Sequence, residues 1–512
     1  MATIGIDLGT TYSEAAIAYA SDGKIGRVEV IRDYISGSYL TPSLVKFLPV
    51  NPAKTEQENL RVCVGGSLGA GTEMGIIRCI KRSMGKDFKY TTPNGRVVGP
   101  EVISALILKY IKRYVEETLH QEITGAVITV PAYFGDRERK ATEQAGRIAG
   151  LEVLQLINEP TAAALALGLD NAIEGKILVY DLGGGTFDVS VMDVHDRTFK
   201  VLGTDGDKGL GGEDFTKVIY ESLKSDLTMK RGYAPNNVEE NYNSGVWWDA
   251  CEMAKRKLSR NKTATIRYGV DHSPDYEFSL TRENFDSKTS HLLYITEVCV
   301  NRLLKDKELT WSDIDGILTV GGATAMPMVR EMLQRISSGK KLISGNDPDL
   351  DVAKGAAIYA RHLKTGQSNY TLVDVVSQSL GVEAYEGENS DKLINAKIIH
   401  RNTPISEVVK SGLFKPREEN QKYVKVVVKE GESDDPKSAR TIGESEITLP
   451  HYEGKIRFRY VCSFDASQLI HIELEDEQGL KFGEFDIHRE ANLSEKEVQE
   501  LAKWLLSVEF ED

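Results

Sequence analysis

Hydrophobic and polar positions follow two different patterns along the chain. Up to about residue 365, short β-rich runs such as "GAVITVPA" and "KILVYDLG" alternate with long helical stretches such as "DRERKATEQAGRIAGL". Beyond "GQSNYTLVDVV" the pattern is one of strands separated by polar turns, for example "VKVVVKEGE" and "KIRFRYVCSF". The first pattern is typical of sheets flanked by helices, and the second of an all-β domain.

This change of pattern predicts four segments. We expect an α/β domain over residues 1–365, a linker over 366–376, a β-sandwich over 377–490 and a short C-terminal helix over 491–512. The centre of the linker, "TLVDVV", is apolar where a solvated linker is usually rich in Gly and Ser, so it is expected to dock into a groove. In the last segment Asn492 or Ser494 is the candidate helix N-cap, and Glu497 lies in the first turn.

Two stretches of the α/β segment nearly repeat each other, "IGIDLGTTYSEAAI" and "YDLGGGTFDVSV". Each predicts a β-hairpin with a polar tip, because an Asp and a tight Gly/Thr turn separate two apolar runs. Glycines let the backbone approach a phosphate, Thr hydroxyls donate to its oxygens, and a carboxylate can hold hydrated Mg²⁺. One such hairpin is more often a structural turn, but a matched pair predicts a phosphate clamp. Its two sides are Asp7, Thr10, Thr11 and Tyr12, and Asp181, Gly183, Gly184, Gly185, Thr186 and Asp188.

Composition narrows the class of protein. With 512 residues, 41% of them hydrophobic, the chain can build several cores. The net charge of -14 argues against a nucleic-acid or membrane-surface interface, which needs clustered Lys and Arg. The five cysteines form no C-x-x-C pair, which favours a reducing compartment over disulfides or a zinc ribbon. Without a long apolar run or a signal peptide, we expect a cytoplasmic protein.

The paired loops are neither a P-loop nor a dinucleotide-binding fingerprint, since the Asp precedes the glycines and a strand follows them. They resemble the phosphate loops of the actin-like ATPase superfamily, and "ILTVGGATAMPMV" resembles its adenosine loop. "ITVPAYFGDRERKAT", "INEPTAAALALGLD", "GLGGEDF" and "NDPDLDVAKGAAI" are similar to signatures of the heat shock protein 70 family, the DnaK-like chaperones. The resemblance covers roughly residues 3–505, and the chain resembles a short, lidless, HscC-like variant of the family.

The resemblance implies a duplicated, ribonuclease H-like actin-type ATPase domain, followed by an all-β peptide-binding sandwich. It implies ATP or ADP and Mg²⁺ as ligands, with K⁺ as a further candidate, and hydrolysis in which Asp7 and Asp181 hold Mg²⁺ through water. Glu159 would orient or deprotonate the attacking water, with Thr186 nearby, although an isolated Glu is usually a surface residue. The other implied ATP contacts are Gly211, Gly212, Glu213, Glu252, Lys255, Arg256, Ser259, Gly321, Gly322, Ala323 and Asp349.

The resemblance also implies a second site, coupled to the first. Pro131 and Arg139 match the family's interdomain relay and Asp374 its docking linker, although Pro131 could simply end a strand. Extended unfolded peptides would bind in the β-sandwich, with a J-domain co-chaperone and a nucleotide exchange factor as further partners and neither nucleic acid nor a membrane involved. The implied cleft residues are Val382, Phe414, Val424 and Val426, at least half of which could equally be core, with Tyr385 and Arg417 in place of the usual apolar arch.

Several departures from the family pattern modify these expectations. Gly69 stands where the family has a lysine that touches the transferred phosphate, and the next lysine is Lys81. Hydrolysis is therefore expected to be weak, and a nucleotide-binding adaptor with little or no hydrolysis is the alternative. Ala325 replaces an arginine near adenine, and Leu154 and Gln155 replace a basic residue that J-domain partners use. A sugar or acid kinase is disfavoured by the β-rich C-terminal third.

Overall fold

The computed structural model describes residues 2–21, 24–49, 60–68, 75–168, 173–231, 237–268, 276–345, 347–366, 370–387, 390–452, 454, 456–465, 467–486 and 492–511. Within these ranges no helix is both long and apolar enough to cross a membrane. Gly69, on which the expectation of weak hydrolysis rests, lies outside the described residues.

The first sheet of the α/β part contains the first predicted hairpin. The strands up to residue 168 are β1 (Ala2–Asp7), β2 (Tyr12–Ser21), β3 (Lys24–Val30), β4 (Thr41–Pro42), β5 (Val45–Phe47), β6 (Arg61–Val64), β7 (Ile76–Ile77), β8 (Tyr90–Thr91), β9 (Val97–Val98), β10 (Ile123–Val130) and β11 (Glu152–Asn158). The helices are α1 (Pro100–Leu119), α2 (Asp136–Ile148) and α3 (Glu159–Gly168). The strand order is β11-β10-β1-β2-β3, with β4 paired to β2. Antiparallel β1 and β2 form the hairpin, and β10 lies parallel to β1.

The second sheet repeats this design. Its segment contains β12 (Gly175–Leu182), β13 (Phe187–His195), β14 (Thr198–Asp207), α4 (Gly212–Arg231), α5 (Asn237–Arg260), β15 (Thr263–Tyr268), β16 (Tyr276–Thr281), α6 (Arg282–Asp306), β17 (Gly316–Val320), α7 (Pro327–Ile336), β18 (Leu342–Ile343), α8 (Asp351–Thr365) and β19 (Thr371–Val373). The order is β18-β17-β12-β13-β14-β19. Antiparallel β12 and β13 form the second predicted hairpin, and β17 lies parallel to β12. The expected duplication is therefore confirmed.

Small residues bring the two halves into direct backbone contact. A Cβ atom added at Gly355 of α8 would lie 1.8 Å from the carbonyl oxygen of Ala162 in α3. One added at Gly5 of β1 would lie 2.0 Å from the backbone nitrogen of Ala357 in α8. Only glycine permits this approach. Helix α8 therefore packs against both α3 and the first hairpin.

The C-terminal part forms two facing four-stranded sheets. Its strands are β20 (Leu380–Tyr385), β21 (Leu393–Ile399), β22 (Val409–Lys410), β23 (Tyr423–Glu430), β24 (Arg440–Thr448), β25 (Phe458–Phe464), β26 (Ile470–Asp476) and β27 (Lys481–Asp486). The orders are β21-β20-β23-β24 and β22-β25-β26-β27. Alternate residues of both sheets, among them Val428, Ile442, Tyr460 and Leu474, form one buried core. This is the predicted β-sandwich.

The last segment returns to the α/β part. Helix α9 (Glu495–Leu506) begins at Ser494, whose side chain forms a capping box with Glu497. Its apolar face, with Val498, Leu501 and Leu505, enters the core beneath the first sheet. The sequence predicted only a helix here, but the structure adds β28 (Glu509–Phe510), which pairs in parallel with β6. Of the two candidate caps, Ser494 is the one used.

Candidate functional site

The tips of the two hairpins face each other across a cavity of about 600 Å³. Strands β1 and β12 bring Asp7 and Asp181 to the same end of their sheets, and helix α5 and the loop after β17 form the opposite wall. The predicted residues that line the cavity are Asp7, Thr10, Thr11, Tyr12, Glu159, Asp181, Gly183, Gly184, Thr186, Gly212, Glu213, Glu252, Lys255, Arg256, Ser259, Gly321, Gly322, Ala323 and Asp349. Residues far apart in sequence therefore converge on one site.

Three further predicted residues stand behind this lining. Asp188 accepts the backbone N–H of Tyr133 at 2.8 Å. The carbonyl of Gly185 accepts the Arg82 Nε–H at 2.8 Å. Gly211 lies so close to the second hairpin that an added Cβ would meet the Gly184 carbonyl at 2.6 Å. These residues support the shape of the second tip from outside the cavity.

The inner end of the cavity is a buried cluster of carboxyl groups. One oxygen of Asp7 accepts a hydrogen bond from the Thr129 hydroxyl at 2.6 Å. Burial and the neighbouring charges of Glu159, Asp188 and Asp7 raise the pKa of Asp181 well above its usual range. Burial likewise raises the pKa of Asp188 to about 6. Such a cluster favours a bound cation, because a cation relieves the repulsion among these groups.

Lys81 lies within this cluster, which the sequence analysis did not anticipate. Its ammonium group forms an ion pair with Glu159, and both side chains are buried, at 6% and 10% exposure. Burial disfavours the charged lysine, but Glu159, Asp7 and Asp181 outweigh it and raise the pKa of Lys81. Burial also raises the pKa of Glu159 despite this partner. A cation is therefore present at the inner end, from a segment that family motifs did not single out.

The outer end of the cavity carries polar and charged groups of α5 and the ring of Tyr12 from β2. Lys255 forms a 2.6 Å ion pair with Glu252 and donates to the Gly212 carbonyl at 2.8 Å. The Arg256 guanidinium lies 5.0 Å from the centre of the Tyr12 ring. Glu252, Lys255 and Ser259 stand at positions i, i+3 and i+7 of α5, share one helical face and line the cavity.

A chain of buried hydrogen bonds joins helix α2 to the linker through Asn158. Arg139 donates to the Asn158 side-chain oxygen at 2.5 Å, and the Asn158 amide donates to Asp374 at 2.6 Å. Asn158 directly precedes Glu159 in the chain. Pro131 follows β10, and its carbonyl accepts the Phe134 N–H at 3.0 Å. Asn158 therefore bridges the two predicted coupling residues Arg139 and Asp374.

The β-sandwich docks on α2 through a second set of buried charges. Arg440 of β24 contacts both oxygens of Glu138, at 2.9 and 2.8 Å, and lies 2.9 Å from Glu430. Lys208 adds a 3.0 Å contact to Glu138. Lys208 and Arg440 outweigh burial and lower the pKa of Glu138 to about 2. No local pattern predicts this contact, because its members are up to 302 residues apart.

The six predicted peptide-site residues occupy different environments. Val382 and Val426 are fully buried in the sandwich core, whereas Phe414 and Val424 are half-buried at its edge. Tyr385 and Arg417 are exposed and touch each other, with the guanidinium carbon 4.1 Å from the ring centre. Arg417 also forms an ion pair with Asp391. The two residues expected to replace the apolar arch therefore do meet.

Together, the duplicated sheets, the cavity between paired hairpins and the attached sandwich define an actin-like ATPase fold followed by a β-sandwich. Comparison with known proteins gives the family. The model of the family described as "Hsp70 protein" matches residues 76–512. The chain is also 37% identical over 511 residues to the chaperone protein DnaK of Mycoplasmopsis synoviae (strain 53), covering 98% of this chain and 81% of that protein. The chain belongs to the Hsp70 family of chaperones.

Proposed function

We propose that this protein is an ATP-dependent chaperone in which the nucleotide bound between the two hairpins controls the binding of extended peptides by the β-sandwich. The observation that carries this proposal is the connection from Glu159, at the inner end of the cavity, through Asn158 to the buried linker carboxylate Asp374. Because Asn158 and Glu159 are consecutive residues, a shift of the backbone at Glu159 on nucleotide binding would displace the contact between Asn158 and Asp374.

The residues at the inner end fit a magnesium nucleotide. Asp7, Glu159, Asp181 and Asp188 present carboxyl groups there, and a triphosphate would be repelled unless a cation compensated them. Asp7 and Asp181 line the cavity and would hold Mg²⁺, which supplies positive charge to the phosphates. The backbone of Gly183 and Gly184 and the hydroxyls of Thr10 and Thr11 would bind phosphate oxygens.

Glu159 and Lys81 would carry the hydrolytic step. The carboxylate orients a water and accepts its proton, while the ammonium stabilises negative charge on the transferred phosphate. Each group neutralises the other while they are paired. Hydrolysis is therefore proposed to be slow, since Lys81 must give up part of its contact with Glu159 to serve the phosphate. The presence of Lys81 favours a hydrolysing chaperone over a non-hydrolysing adaptor.

We also propose where the protein is located and which partners it binds. The five cysteines are scattered along the chain without a C-x-x-C pair, which favours a reducing, cytoplasmic environment. Unfolded peptides, a J-domain co-chaperone and a nucleotide exchange factor are the proposed partners. Leu154 and Gln155 leave the J-domain contact without its usual basic group.

The Tyr385–Arg417 contact is expected to select clients by charge. An exposed guanidinium above the proposed cleft attracts carboxylates on a bound peptide. Replacing Arg417 with Ala should lower affinity for acidic peptides about two- to fivefold and leave affinity for neutral peptides unchanged, a scale typical of one exposed charge. Binding to a peptide array measures this, with Arg457→Ala, an exposed arginine just before β25, as the control. Identical preferences in wild type and Arg417→Ala would refute it.

The proposed function is tested by adding ATP to a preformed complex with a fluorescent peptide. ATP should accelerate peptide release at least tenfold in the wild type, a change equivalent to about 1.4 kcal/mol. Asp374→Asn should bind peptide but lose most of the acceleration, because it removes the charge that faces Asn158 and Arg139. Asp434→Asn, an exposed carboxylate on the sandwich, is the matched control. Equal release rates with and without ATP in the wild type would contradict the proposal.

A further inference from the structure

Each hairpin tip carries a pair of carboxyl groups in the same register. Asp7 of β1 lies directly opposite Glu14 of β2, and Asp181 of β12 lies directly opposite Asp188 of β13. Directly opposed residues of antiparallel strands project to the same face, with Cβ atoms about 4.5–5.5 Å apart. Glu14 is therefore the counterpart in the first hairpin of Asp188 in the second.

The two counterparts differ in what they contact. Asp188 lies behind the cavity lining, where its carboxylate accepts the Tyr133 N–H at 2.8 Å. Glu14 has a longer side chain, lines the cavity itself and is only 2% exposed. Its Oε2 atom has no hydrogen-bond partner among the described residues. Glu14 therefore places an unsatisfied oxygen at the inner end of the cavity.

A buried carboxyl oxygen without a partner is costly and rare in folded proteins. The charged groups near Glu14 are mostly negative, with Asp7 and Asp349 on one side and Lys81 as the nearby cation. A bound cation would satisfy the oxygen and reduce the repulsion at the same time.

We propose that Glu14 is a third carboxylate of the cation site, supplying an oxygen to the metal ion that Asp7 and Asp181 are proposed to hold. This inference rests on the proposed nucleotide function, because it concerns the same cavity. Thr129 already donates to one oxygen of Asp7, so Glu14 adds acceptor capacity where that of Asp7 is partly used. A site with three carboxylates binds divalent ions more tightly than one with two, and accepts Mn²⁺ readily.

The test is a titration of the full chain with Mn²⁺, with and without ADP. The electron paramagnetic resonance signal of free Mn²⁺ reports how much ion is bound. Glu14→Gln should weaken Mn²⁺ binding at least tenfold, and Glu14→Asp by less, because it keeps the charge on a shorter side chain. Glu29→Gln, a partly exposed carboxylate on neighbouring β3, should bind Mn²⁺ like the wild type. ADP affinity in EDTA should not fall in Glu14→Gln, since the change removes negative charge.

Mn²⁺ affinity within twofold of wild type in Glu14→Gln would overturn the inference. If that variant does not fold, Glu14→Asp decides, with weakened binding in support and wild-type affinity against. Failure of the wild type to bind ADP would contradict the proposed function instead. In that case the arm with Mn²⁺ alone still decides whether Glu14 holds the ion.

Discussion

Replacing Glu159 with Gln is expected to lower the single-turnover rate of ATP hydrolysis about 100-fold or more, while ATP still binds. The amide can hold a water but cannot accept its proton, and a positioned general base contributes about 10²- to 10⁴-fold. The wild-type rate should rise with pH, because only ionised Glu159 is active. The midpoint of this pH dependence should lie above the ordinary glutamate pKa of about 4.3, since burial raises the pKa of Glu159.

Replacing Lys81 with Met tests the other half of this pair. Loss of one preorganised charge at the transferred phosphate is expected to lower the single-turnover rate of ATP hydrolysis about 10²- to 10³-fold. The double variant should be less impaired than the product of the single effects, because the two groups are in direct contact. Lys86→Met changes an exposed lysine of the same segment and should retain the wild-type rate. Wild-type hydrolysis in Lys81→Met would show that another group serves the phosphate.

Replacing Arg440 with Ala is expected to undock the β-sandwich from the α/β part. The change leaves Glu138 and Glu430 as neighbouring carboxyl groups, with side chains only 4% and 3% exposed and Lys208 as the remaining partner. Breaking a buried ion pair on one side costs about 3–5 kcal/mol. On a docking equilibrium this corresponds to a factor of roughly 10² to 4 × 10³. Energy transfer between dyes on the two parts, measured with ATP, should fall.

The control for this experiment is Arg457→Ala, which breaks an exposed arginine–glutamate pair within the sandwich. Adding Glu138→Gln and Glu430→Gln to Arg440→Ala should restore part of the transfer, because it removes the unpaired charges. Unchanged transfer in Arg440→Ala would mean that the remaining contacts, such as those of Arg137 and Ser377, suffice for docking.

Much of the nucleotide end could be predicted from local sequence. The hairpins at Asp7 and Asp181 are set by adjacent apolar runs and glycine turns, and the face of α5 by its helical spacing. In each hairpin, and in α5, the residues that form the pattern lie close together in the sequence. The sequence therefore identified both walls of the cavity.

The contents of the cavity's inner end were harder to predict. Lys81 reaches Glu159 because Cys79, with φ of 54°, turns the chain into a short 3-10 segment, and no local pattern predicts where that segment lies. Glu14 follows the alternation of an ordinary half-buried strand, and only pairing with β1 shows its position beside Asp7.

Contacts between segments that are distant in the chain also could not be predicted from the sequence. The spacing of apolar residues in α9 indicates an amphipathic helix, but it does not show which surface covers the apolar face of that helix. Glu138 and Arg440 look like ordinary solvated charges until the two domains are brought together.

The central claim is that nucleotide in the cavity controls whether the linker is docked. Strand β19 pairs in parallel with β14, through Thr371, Leu372 and Val373. Hydrogen exchange of these amides, measured with saturating ATP and Mg²⁺ and again with ADP, tests this directly. We predict protection with ATP and at least tenfold faster exchange with ADP, as paired backbone becomes exposed. Equal protection in the two nucleotide states would contradict the claim.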